Sequence, residues 1–162
     1  MIRLTLLITL LGLMGCGSAP DEAESVIPAE KIVPAQKITE EIKDETHRFD
    51  KTGLVEAKVV ADDLAGKDFM PGGNVAVYEE DGKKYEVFFT LRRNNEVATF
   101  LTMDYRDILT DPKFIAHFGG FYGMDGETPT LVFQKNKYVI GVAGLELEDA
   151  DQAGRLIAGY LQ

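Results

Sequence analysis

The chain carries 162 residues, 45% of them hydrophobic and 9% aromatic, and 17 Lys and Arg against 27 Asp and Glu leave a formal charge of −10. That length accommodates one domain and a tether rather than two domains. The acidic balance argues against nucleic acid as a partner, because phosphate binding needs clustered cations and Lys83-Lys84 and Arg92-Arg93 are isolated pairs.

Met1-Ile2-Arg3 supplies one positive charge, and the mostly apolar residues 4–13 lead into Met14-Gly15 and then Cys16, the single cysteine of the chain. A basic start, a short apolar run and a small residue before a cleavage point form a signal-peptide pattern. The run falls well short of the roughly 20 apolar residues that a membrane-spanning helix needs. Leu13-Met14-Gly15-Cys16 resembles the lipobox of bacterial lipoproteins. The resemblance implies removal of residues 1–15, a diacylglycerol on the Cys16 sulfur, and a fatty acyl chain such as palmitate on the new amino group. Two or more acyl chains anchor stably, where one is marginal. Gly17 stands where the inner-membrane retention signal of that family has Asp, so in a cell with two membranes the resemblance implies the periplasmic side of the outer membrane.

All nine Phe and six Tyr lie at or after Phe49, whereas the stretch from Gly17 to Arg48 has no aromatic residue and carries Pro20, Pro28 and Pro34. Such a segment buries too little apolar surface to offset chain entropy, so residues 16–48 read as a flexible acidic tether and 49–162 as one globular domain. A flexible leash of that length reaches about 30 Å. Ile38, Ile42 and Phe49 suggest a short amphipathic helix at its end, with Thr39 or Thr46 as cap. From Phe49 onward 12 Lys or Arg face 19 Asp or Glu, so the domain itself carries about −7. Anionic lipids repel such a body, which leaves attachment to the acyl group.

Residues 54–60 read as an opening strand broken by Asp62-Asp63-Leu64-Ala65-Gly66, and Met70-Pro71-Gly72-Gly73 reads as a turn. Residues 75–79 and 85–92 form a hairpin across Asp81-Gly82, a pair that tolerates positive φ. On its second strand Tyr85, Val87, Phe89 and Leu91 share one face, and Phe88 is the apolar exception on the other. Asn94 or Asn95 caps a helix running to about Leu109, which Asp111-Pro112 ends. Residues 131–134 and 138–143 make a second hairpin, and Glu148, Asp149 and Asp151 suit the start of a final helix with Ala150, Ala153, Leu156, Ile157, Tyr160 and Leu161 on its apolar face. The predicted fold is α+β: two layers, a mainly antiparallel sheet with two amphipathic helices on one face, in the order β-β-β-α-β-β-α.

Ser18 and Ser25 are the only serines, so the predicted domain offers no serine or cysteine nucleophile. His47 and His117 stand far apart with no paired cysteines, and Asp104, Asp107 and Asp111 lack the glycine turn of a calcium loop. No catalytic residue, metal ligand or cofactor site is implied. One stretch is unusual: in His117-Phe118-Gly119-Gly120-Phe121-Tyr122, glycines alternate with aromatics and mark a sharply turning backbone. It reads as a loop whose aromatics plug the core, or as a partner or ligand loop with Phe121 and Tyr122 as exposed anchors. The spacing matches neither a dinucleotide nor a P-loop fingerprint, and no haem-attachment motif accompanies His117.

The expectation is a lipid-anchored, non-catalytic binding or adaptor module held outside the cytoplasm and engaging a protein of the cell envelope. A carrier of a small apolar ligand is the alternative, and a carboxylate-dependent hydrolase, with two acids converging in a cleft, a further one.

Overall fold

The structure is a computed structural model that describes residues 41–161. Leu13, Met14, Gly15, Cys16 and most of the expected tether lie outside the described residues. The elements are β1 (Leu54–Asp62), β2 (Pro71–Glu80), β3 (Lys83–Leu91), α1 (Asn95–Ile108), β4 (Thr110–Ile115), β5 (Gly120–Asp125), β6 (Thr128–Lys135), β7 (Tyr138–Ala143) and α2 (Leu147–Tyr160). Seven strands form one antiparallel sheet in the order β1-β2-β3-β7-β6-β5-β4. The chain builds a three-stranded meander, crosses through α1 to the far edge, and meanders back until β7 zips onto β3.

Local chemistry explains the joints. Asp81 (φ 50°) and Gly82 (φ 77°) both adopt the left-handed region, as a two-residue hairpin matched to strand twist requires. The Asn94 side chain accepts a hydrogen bond from the Val97 amide at 2.8 Å and so caps α1. At the second predicted hairpin, Asn136 takes φ 53° between β6 and β7. Glu148 and Asp149 lie in the first turn of α2, where negative charge complements the helix dipole.

The α+β class, the antiparallel sheet and the two amphipathic helices are as the sequence indicates, and the details differ in three ways. First, the helices cover opposite faces, making three layers. Val87, Phe89, Ile140 and Val142 pack with Ala150 and Ile157 of α2, whereas Val75, Phe88, Val132 and Val139 pack with Ala98, Leu101 and Tyr105 of α1. The central strands are apolar on both sides, so each side needs a cover. Second, β4 and β5 add two strands. Helix α1 stops at Ile108, and Asp111-Pro112 falls inside β4, where a register irregularity at the sheet edge accommodates a residue that cannot donate to the ladder. Third, Pro71-Gly72-Gly73 opens β2 instead of turning. A Cβ on Gly72 would sit 2.3 Å from the Ala61 carbonyl oxygen, so glycine is there for close approach to β1.

The domain also starts earlier than Phe49. Residues 43–48, expected in the tether, dock on the sheet; of the expected amphipathic helix, Ile38 and Thr39 lie outside the described residues, and the described part holds only a short 3₁₀ turn (Thr46–Arg48). The Glu45 amide donates to Asn74 Oδ1 at 2.8 Å, and the Asn74 amide group donates back to the Lys43 carbonyl at 3.1 Å. The Glu45 carboxylate, 2% exposed, faces Arg48 Nε at 3.3 Å and accepts from the Tyr138 hydroxyl at 3.2 Å. Arg48 also reaches the Tyr160 carbonyl at 2.9 Å.

Candidate functional site

Helix α1 covers only part of its sheet face. Beyond its cover runs a cross-strand row set by register: Val77 beside Glu86, Glu86 beside Ala143, Ala143 beside Thr130, and Thr130 beside Gly123. Short side chains at Ala143 and Thr130 leave a hollow where longer ones would fill it, whereas Gly123 at the end of the row is closed over by the Thr110 carbonyl and Leu109. The result is an open groove of about 650 Å³, walled by Tyr105 of α1, Lys67 from the β1–β2 connection, and Asp125 and Thr128 at the β5–β6 turn.

One wall is rigidly wired. Lys67 Nζ donates to Asp125 Oδ1 at 2.6 Å, and the Tyr105 hydroxyl donates to Asp125 Oδ2 at 2.9 Å. Burial, reinforced by the neighbouring Asp125 carboxylate, pushes the Tyr105 phenol far above its ordinary range, so the hydroxyl stays protonated and remains a donor. With both oxygens engaged, Asp125 is a structural acceptor rather than a free base.

Glu86 on the floor is different. Its neighbours across the ladder are apolar Val77 and Ala143. Burial raises its carboxyl above the usual glutamate value, and Lys58 offsets this only in part. Lys58 is itself in an ion pair with Glu56 at 3.4 Å. The groove therefore presents one half-buried carboxyl without a hydrogen-bond partner among the described residues.

The sequence-marked residues lie elsewhere and do not form one loop. Ala116 to Gly119 is the tight turn between β4 and β5, with Gly119 at φ 63°, and Gly120 begins β5. A Cβ on Gly120 would lie 2.4 Å from Phe133 Cβ, so the second glycine lets β5 close on β6. Strand alternation then sends the aromatics to opposite faces. Phe118 packs on Phe133 as a tilted ring pair with centroids 4.3 Å apart, and Tyr122 donates to the Leu145 carbonyl at 3.3 Å. Phe121 instead meets Phe114 at 5.5 Å and carries the Arg106 guanidinium at 5.5 Å. Phe121 and Tyr122 are half-buried, so neither is the exposed anchor that a binding loop needs.

His117 is exposed and clasps α2 through a hydrogen bond between its Nε2 and Asp151 Oδ2. Arg155 Nε donates to Asp151 Oδ1 at 2.5 Å, and this bond, with a smaller contribution from His117, lowers the Asp151 carboxyl below the usual range. Among the described residues no three His, Cys, Asp or Glu side chains converge as a metal site. Also among them, no helix is long and apolar enough to cross a membrane.

Sequence reasoning missed the groove because a Glu in an alternating strand reads as a solvent-facing residue. The available signal was that Glu86 shares its strand face with Phe88, which is fully buried. Compared with known protein families, curated proteins and solved structures, the chain matches none.

Proposed function

We propose that this protein is a lipid-anchored, non-catalytic binding module of the bacterial envelope, held by acylated Cys16, that engages an envelope protein through the groove beside α1. The observation that carries the reading is the groove itself, about 650 Å³ and open along one side. An open trough on a sheet face suits an extended segment of a larger partner, whereas a small apolar ligand needs an enclosed apolar cavity. The floor and walls carry Lys67, Lys84, Glu86 and Asp125, which disfavours an apolar cargo. A two-carboxylate hydrolase is disfavoured because Lys67 and Tyr105 already occupy Asp125. Membrane tethering raises the effective concentration of such a module for membrane-bound partners, to the millimolar range for short linkers, so a weak contact suffices.

The test places a photo-crosslinking residue at Thr128, in the groove, or at Leu156, on the outer side of α2, in intact cells. One stoichiometric adduct from Thr128 and none from Leu156 supports the reading. Equal adducts from both positions, or Thr128 adducts that persist unchanged when Cys16→Ala abolishes acylation and membrane retention, oppose it.

A further inference from the structure

We infer that the groove receives a basic side chain of the partner protein, a lysine ammonium or arginine guanidinium that pairs with the Glu86 carboxylate. The inference rests on the groove being the binding face, and it adds the chemistry of what enters.

Three observations converge. The Glu86 carboxylate makes no hydrogen bond or ion pair among the described residues. Lys67 is bound to Asp125 at 2.6 Å and Lys58 to Glu56 at 3.4 Å, while Lys84 stands exposed at the rim. The fold thus already bears the cost of partly desolvating a carboxyl that it does not pair, and an incoming cation recovers that cost. Second, the floor around Glu86 is formed by half-buried Val77 and Ala143. Lysine and arginine carry an alkyl stem beneath a charged head, so the stem covers this apolar strip while the head meets the carboxylate. Third, the domain from Phe49 onward has 12 basic against 19 acidic side chains, a field that attracts a basic segment and speeds its encounter.

The probe is a tetra-lysine peptide titrated into the ¹⁵N-labelled full chain in neutral detergent micelles at low salt, with the fully N-acetylated peptide as control. Expected are amide shifts at Val77, Glu86, Thr130 and Ala143, and about a tenfold loss of affinity in Glu86→Gln, with Glu148→Gln on α2 unchanged. The acetylated peptide leaves the groove signals in place. Wild-type affinity in Glu86→Gln, or shifts spread over the acidic start of α2, would overturn the inference by showing attraction to an acidic body only. Groove signals already displaced before peptide is added, and restored by Lys31→Gln or Lys37→Gln, would overturn it in favour of the chain's own amino-terminal segment as occupant. The two readings fail separately. A Thr128 adduct in cells with no tetra-lysine response refutes the cation and leaves the groove, while absence of both refutes the groove as well.

Discussion

Gly141→Ala tests whether the α1 side of the sheet is packed as tightly as the structure indicates. Gly141 sits in β7 with Phe88 opposite it on β3 and Val132 opposite it on β6. A Cβ built there lies 2.0 Å from Phe88 Cζ and 2.4 Å and 2.5 Å from its Cε2 and Cε1. Carbon atoms in contact prefer about 3.5–4.0 Å, so the ring must retreat by roughly 1.5 Å. It has nowhere easy to go: Phe88 is fully buried and stacks on Tyr105 at 5.8 Å, whose hydroxyl is tied to Asp125. Overpacking of this kind costs about 1–3 kcal/mol. For a domain of this size, that lowers Tm by about 4–12 °C in a calorimetric or circular-dichroism melt. The strain passes through Tyr105 into the groove wall, so groove amide signals should shift as well. Phe88→Leu combined with Gly141→Ala should recover part of the loss, because the two changes share one space. An unchanged melt for the single variant, or strict additivity in the double, would refute the packing.

Asn74→Ala removes the acceptor of the buried Glu45 amide and should cost about 1–3 kcal/mol in urea denaturation; a loss under about 0.5 kcal/mol would mean that segment 43–48 does not dock as described. Glu86→Gln should raise Tm at pH 7 and match wild type below about pH 4. The sign follows from burial, which holds the folded carboxyl above its unfolded value despite Lys58. Folded protein then keeps a proton that the unfolded chain has lost, and stability declines as pH climbs through that window. A Tm difference independent of pH would contradict this. A variant that is more stable yet binds tetra-lysine less well separates a binding role for Glu86 from a structural one.

Much of the architecture was legible wherever side-chain chemistry and backbone geometry coincide. Asp81-Gly82 announces its turn because both residues must accept positive φ, and Asn94 announces its helix because its side chain meets an otherwise unpaired amide. Strands β4 and β5 were hidden for physical reasons. Most of β4 is exposed at the sheet edge, so no alternation of apolar and polar residues is imposed on it, and β5 carries glycines selected by contact with its neighbours. Gly72-Gly73 imitated a turn because close approach and chain reversal call for the same residue. An amphipathic pattern shows that a helix has a buried side, and only the sheet decides which face receives it. Phe88 held that information, since its ring required a cover opposite to the one over Phe89. The groove was the least legible feature, being a property of what α1 fails to reach.

The docking of residues 43–48 also decides how the domain meets mechanical load. Tension arriving from the amino-terminal side is taken first by Glu45, which is fastened to Asn74 in β2 and Tyr138 at the start of β7, and by Arg48 at the end of α2. The pull is therefore shared among interior elements, as by a rivet through the middle of a plate. Edge strand β1, which would otherwise peel away one ladder rung at a time, lies behind that fastening.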